Sequence, residues 1–179
     1  MRLLRIAAIT LIVILVVGFA VAWSVYDSYA ELAELNRKSR ASFASWEAAA
    51  APRRAMFREL SELLEPYDGQ AVTLAEESED VLKKLNASDA LDPRIRMHRL
   101  FDEQLQNLRD LAERYPQLRD SQAFAEWKNE FLKNQILSEG FRENYNSAVR
   151  EYNSTLDTMT GSVIAFFFEV PPKPLLPAS

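Results

Sequence analysis

Residues 6–25 read IAAITLIVILVVGFAVAWSV. These 20 residues carry no charge, and Thr10 and Ser24 hold their only hydroxyls. A helix rising ~1.5 Å per residue over this run covers about 30 Å, the thickness of the hydrocarbon core of a bilayer. Trp23, Tyr26 and Tyr29 sit at its downstream end, where amphipathic rings prefer the membrane interface. The reading is a transmembrane anchor over residues 6–25 behind a short N-terminus, residues 1–5. A cleaved secretory signal is the alternative, because Arg2 and Arg5 form a basic n-region and Ala20-Val21-Ala22 has the form of a cleavage site. The apolar regions of such signals run roughly 7–15 residues, shorter than this one. Arg2 and Arg5 also favour a cytoplasmic N-terminus, and Asp27, Glu31 and Glu34 agree. Arg37, Lys38 and Arg40 pull the other way, but long domains translocate largely regardless of charge. The expected location is the cytoplasmic membrane, single-pass, with the N-terminus inside and the rest of the chain outside the cytoplasm.

Downstream of the anchor the pattern is helical. Tyr29, Leu32, Leu35, Phe43, Trp46, Phe57, Leu60 and Leu64 recur at helical spacing, with Pro52 expected to kink or split the run and Pro66 with Asp68-Gly69 to end it. A second helix fits residues 70–85, with Leu74, Val81 and Leu85 inward. A third starts at Pro93 with Asp92 as its N-cap and carries Met97, Phe101, Leu105, Leu108 and Leu111 to about Arg114. The fourth spans residues 121–160, with Gly161 as its C-terminal stop. Its seam is Phe124, Trp127, Phe131, Phe141, Tyr145, Ala148, Tyr152 and Met159, interrupted by a polar layer at Asn134, Gln135 and Ser138 that fixes register. Short connections make neighbouring helices antiparallel. The fold class expected is all-α: a transmembrane helix continuing into an elongated up-down-up-down four-helix bundle over residues 26–160, then an apolar and Pro-rich tail over residues 161–179.

Composition narrows the function classes. The chain has 179 residues, a net charge of −5, four glycines and no cysteine. So few glycines argue against an all-β fold, and the missing cysteines exclude disulfides and thiolate chemistry. Without a basic surplus, nucleic acid is not an expected partner. His98 is the only histidine, and no metal-ligand spacing, Gly-rich phosphate loop or nucleophile elbow occurs. No cofactor, metal or catalytic residue is therefore assigned. Glu76, Glu77, Glu79 and Asp80 lie within a helical stretch and read as a solvated face.

The C-terminal third carries a signature. Tyr115-Pro116-Gln117-Leu118 followed by Phe124, then Arg142, Tyr145-Asn146, Val149 and Tyr152-Asn153, resembles the LemA family of bacterial membrane-anchored proteins, as does the pair Arg53-Arg54. The match departs at Ala55-Met56-Phe57 after the arginines, at Gln135 in place of a glutamate, and at Met159-Thr160-Gly161 where the family has Phe-Pro. The resemblance implies a mostly helical extracytoplasmic bundle and supplies no activity. Tyr145 and Tyr152, two turns apart on one face, are expected as core aromatics with hydroxyls bonded to the first helix. Arg53 and Arg54 are expected to pair with acidic residues of the second helix.

Phe166, Phe167 and Phe168 are consecutive, so one narrow helical stripe cannot hide all three. They are assigned, with Trp23, Tyr26 and Tyr29, to the membrane interface; a cap folded over the chain and a protein contact are the alternatives. The leading functional expectation is a non-enzymatic membrane-tethered adaptor that meets another envelope protein, with homo-oligomerisation open. A lipid- or cell-wall-facing module acting through the tail comes second, and an enzyme a distant third.

Overall fold

The computed structural model describes residues 2–88 and 90–177. Every regular element among them is helix: α1 Arg2–Ala50, α2 Arg53–Leu64, α3 Gln70–Asn86, α4 Leu91–Glu113, α5 Pro116–Arg119, α6 Gln122–Leu156 and α7 Met159–Phe168. The side chains of Arg2, Arg5, Glu79 and Leu85 lie outside the described residues. By length and composition the N-terminal helix can cross a membrane, and its side chains over residues 11–24 are exposed. The chain forms two compact units. One is Met1–Ser42 with Tyr145–Leu175, the other Phe43–Asn144 with Leu176–Ser179.

The larger unit is held by an apolar core. Phe57, Leu60 and Leu64 of α2 meet Phe101, Leu105, Leu108 and Leu111 of α4, with Leu118 of α5 and Phe124, Trp127 and Phe131 of α6. Three- and four-residue steps put each set on one face of its helix. Leu74 and Val81 of α3 pack against this core at its edge. The buried indole N–H of Trp127 needs a partner and donates to the Met56 carbonyl at 2.8 Å.

Helix boundaries follow local chemistry. Pro52 splits the first run as expected, since it has no N–H to give the preceding turn. The Ser121 hydroxyl accepts from the Phe124 N–H at 3.2 Å and starts α6 where the sequence placed it. Asp92 is not an N-cap. Ala90 holds that position with extended backbone, so Asp92 and Pro93 both fall in the first turn of α4, where an acidic residue suits the dipole and a proline costs no hydrogen bond. Tyr115-Pro116 ends one helix and begins another: Tyr115 is the N-cap of α5, and its hydroxyl donates to Asp68 Oδ2 at 2.7 Å.

In the smaller unit, Leu32 and Leu35 of α1 pack with Tyr152 and Leu156 of α6 and Ile164 of α7. Here two expectations fail together. α6 ends at Leu156 rather than Thr160, and Gly161 is not a stop but lies buried in the first turn of α7. Thr158 does the capping, its hydroxyl accepting from the Gly161 N–H at 3.0 Å. A glycine after a long helical run reads as a C-terminal stop, but this one is required by close approach. Met159, assigned to the α6 seam, is 88% exposed because the turn at Asp157 and Thr158 resets the helical phase. α7 closes at Glu169, whose φ of 51° and ψ of 43° are left-handed.

Candidate functional site

Beyond Glu169 the chain runs extended, and residues of the signature hold it against α6. Pro-rich backbone has no internal hydrogen bonds, so its carbonyls are open acceptors. The Tyr152 hydroxyl donates to the Pro171 carbonyl at 3.4 Å and the Tyr145 hydroxyl to the Pro174 carbonyl at 2.9 Å. Between them the Asn153 side chain meets the main chain of Lys173 twice, donating to its carbonyl and accepting from its N–H, both at 2.9 Å. The hydroxyl protons of both tyrosines thus go to the tail and not, as expected, to the first helix. They serve the tail, and it is the tail's Lys173 that reaches α1.

The Lys173 ammonium donates to Asn36 Oδ1 at 2.5 Å and to Ser39 Oγ, and sits 4.6 Å from the centre of the Tyr152 ring. Burial, and then the nearby charge of Arg40, push its pKa down to about 8. In the unfolded chain a lysine titrates near ~10.4. Between those values the folded state binds fewer protons, so docking of the tail strengthens as pH rises from about 8 toward ~10.4 and is flat below. A spin label on exposed Leu175 should lose mobility through that window, and Lys173→Met should remove the dependence. The Asn153→Ala variant should free the same label at neutral pH, since two main-chain bonds are worth about 2 kcal/mol.

A second group of polar residues occupies the larger unit, where Pro52 breaks the helix. Asn134 and Ser138 supply donors to the Ala49 carbonyl, at 2.8 and 3.4 Å. Asn134 Oδ1 in turn accepts from Arg53 Nε at 3.2 Å, and Arg53 Nη1 reaches Asp102 at 2.6 Å. The polar layer therefore caps a broken helix end. Arg53 pairs with α4 and not, as expected, with the second helix, whose acidic run at Glu76, Glu77 and Asp80 stays exposed. Arg54 is exposed.

Beside this network lies a cavity of about 230 Å³, bounded by Trp46, Arg53, His98, Asp102, Gln135, Ser138, Arg142, Leu176 and Pro177 among others. Its arginines are matched to carboxylates, Arg53 to Asp102, Arg99 to Glu103 at 3.5 Å and Arg142 to Glu139, and His98 Nε2 lies 3.1 Å from Glu47 Oε1. Burial works against the charge on Glu47, yet the His98 and Arg94 contacts prevail and hold its carboxyl below the usual value. No cluster of metal-ligating side chains occurs among the described residues. The arrangement ties α1, α2, α4 and α6 together through hydrogen bonds and ion pairs.

The model of one protein family, the LemA family, matches residues 44–179. The chain belongs to the LemA family. No curated protein matches it. The LemA match spans all of the larger unit but Phe43, together with the segment of the smaller unit that carries the tail and its clamp. Within it, Leu118, Phe124 and Val149 are buried core and Asn146 is buried beside Tyr145. Arg142 has two tasks, since its Nη1 reaches the Leu176 carbonyl at 3.5 Å while its other nitrogens hold Glu139. LemA membership and the apolar N-terminal helix together are those of a membrane-associated protein. Trp23, Tyr26, Phe166 and Phe167 are all well exposed, and the Phe168 ring meets that of Tyr29 at a 44° tilt, 5.5 Å between ring centres.

Asn36, Ser39 and Lys173 are the site residues that sequence reasoning missed. The signal was available in the tail: one lysine set among prolines, just after a segment of apolar residues.

Proposed function

We propose that this LemA protein is a non-enzymatic, membrane-tethered scaffold or adaptor of the bacterial cell envelope. Residues 6–25 would anchor it in the cytoplasmic membrane with the N-terminus inside. Residues 26–160 would form an up-down-up-down four-helix bundle outside the cytoplasm that meets another envelope protein. The observation that carries this reading is the unbroken course of α1, in which the apolar span and the packed residues Leu32, Leu35 and Ser39 share one helix. A tether of that kind holds a protein body at a set distance from lipid, which suits presentation. Exposed Leu132, Ile136 and Leu137 on α6 offer an apolar surface of the sort that partners cover.

The test is photo-crosslinking from position 136 in intact cells. Capture of one discrete envelope protein, lost when Leu132 becomes lysine, supports the adaptor. Adducts only to lipid or to the chain itself overturn it. Substrate turnover abolished by one point mutation would overturn the non-enzymatic reading.

A further inference from the structure

We propose that α7 is a second membrane-contacting element, lying in the plane of the bilayer interface with Met159, Val163, Phe166 and Phe167 in lipid. This rests on the reading of residues 6–25 as the anchor.

The helix has two faces. Gly161 and Ile164 are buried, and Ala165 partly so, against protein. The other face presents Met159, Val163, Phe166 and Phe167, at steps of four, three and one, with exposures of 88, 42, 80 and 74%. No charged residue occurs between Asp157 and Glu169. An amphipathic helix on a soluble surface turns a polar face to water; this one turns an apolar face outward.

Its placement says what covers that face. Ser28 Oγ lies 2.9 Å from Thr160 Oγ1, and the Tyr29 and Phe168 rings are 5.5 Å apart. Ser28 and Tyr29 are separated by ~1.5 Å along the axis of α1, whereas Thr160 and Phe168 are about 12 Å apart along α7. Both ends of α7 meet α1 at one level, so α7 crosses α1 steeply. That level is about 5 Å past Val25, the end of the anchor. A helix lying across a spanning helix there lies along the interface, where apolar faces insert roughly 5–10 Å. Trp23 and Tyr26, exposed on α1, belong to the same belt.

The chain has no cysteine, so single labels are clean. Phe167→Cys, Met159→Cys, Leu15→Cys and Glu130→Cys are each spin-labelled in the full chain and reconstituted into phosphatidylcholine–phosphatidylglycerol vesicles. Collision with oxygen is then compared with collision with a nickel chelate. The expected result is that positions 159 and 167 favour oxygen at one shared depth, shallower than position 15, while position 130 favours nickel. If 167 favours nickel, or is shielded from both reagents as under protein or a second copy, the proposal fails. Depths at 159 and 167 that differ by the length of α7 also overturn it. A label at 15 that favours nickel instead overturns the anchor, which separates the two failures.

Discussion

Replacing Gly161 with valine is expected to detach α7 from the smaller unit. A Cβ at this position would stand 2.0 Å from the Thr155 carbonyl oxygen and 2.9 Å from both Cα and O of Leu156. All three obstacles are main chain, so no rotamer change relieves them. Crowding a packed site costs about 1–3 kcal/mol, more where nothing can yield, and alanine alone should reach the upper end. With the turn forced open, the Thr158 cap is lost and Ile164 leaves Leu32 and Leu35. Urea unfolding of the full chain in detergent, with hydrogen exchange over residues 157–170, measures both effects. Gly140 is the internal control. It lies on the exposed side of α6 with nothing within 4 Å of an added Cβ, so Gly140→Ala should stabilise by about 1 kcal/mol, the helix-propensity difference. Wild-type stability in Gly161→Val would refute the close approach.

The second large effect is at Asp102. Arg53 has 8% of its side chain exposed and Asp102 has 33%. Removing one partner of a buried pair costs about 3–5 kcal/mol, because the other charge is stranded. The stranded group is more deeply buried when the aspartate goes than when the arginine goes. Asp102→Ala should therefore destabilise by about 3 kcal/mol, and Arg53→Ala by less in the ionic part of its cost. Arg53 has a further task, since it orients Asn134, which satisfies the Ala49 carbonyl. An apolar pair at 53 and 102 should accordingly fail to restore full stability, although such swaps are often neutral elsewhere. A double-mutant cycle followed by thermal unfolding resolves these terms. An Asp102→Ala loss below about 1 kcal/mol would show that Arg53 is not stranded when its partner goes.

What could be read from sequence was whatever depends on neighbours along the chain. The stripes on α2, α4 and α6 are visible because helical period and burial coincide, as at Phe101, Leu105 and Leu108. Pro52 and Ser121 act through their own backbone and hydroxyl, so their positions sufficed. The misplaced features depend on tertiary geometry. Arg53 had acidic residues available in two helices, and only packing selects Asp102 over the α3 run. The Tyr145 and Tyr152 hydroxyls face acceptors that belong to residues 19 to 29 positions further on. Gly161 looked like a terminator because its true constraint, the Thr155 carbonyl, is set by how the chain turns at Thr158. The aromatic residues of α7 were legible as an anomaly, and their neighbours on α1 were not.

The clamp on the tail grips carbonyl oxygens and one amide, groups that every residue type but proline supplies in full. Lys173 alone commits its side chain to the polar part of that dock, through Asn36 and Ser39. Pro174 supplies a carbonyl that any residue could supply, and Pro172 is exposed. The segment should thus tolerate wide drift in its wording over generations while its path along α6 is inherited unchanged, so that lineages could diverge in tail sequence and still share one dock.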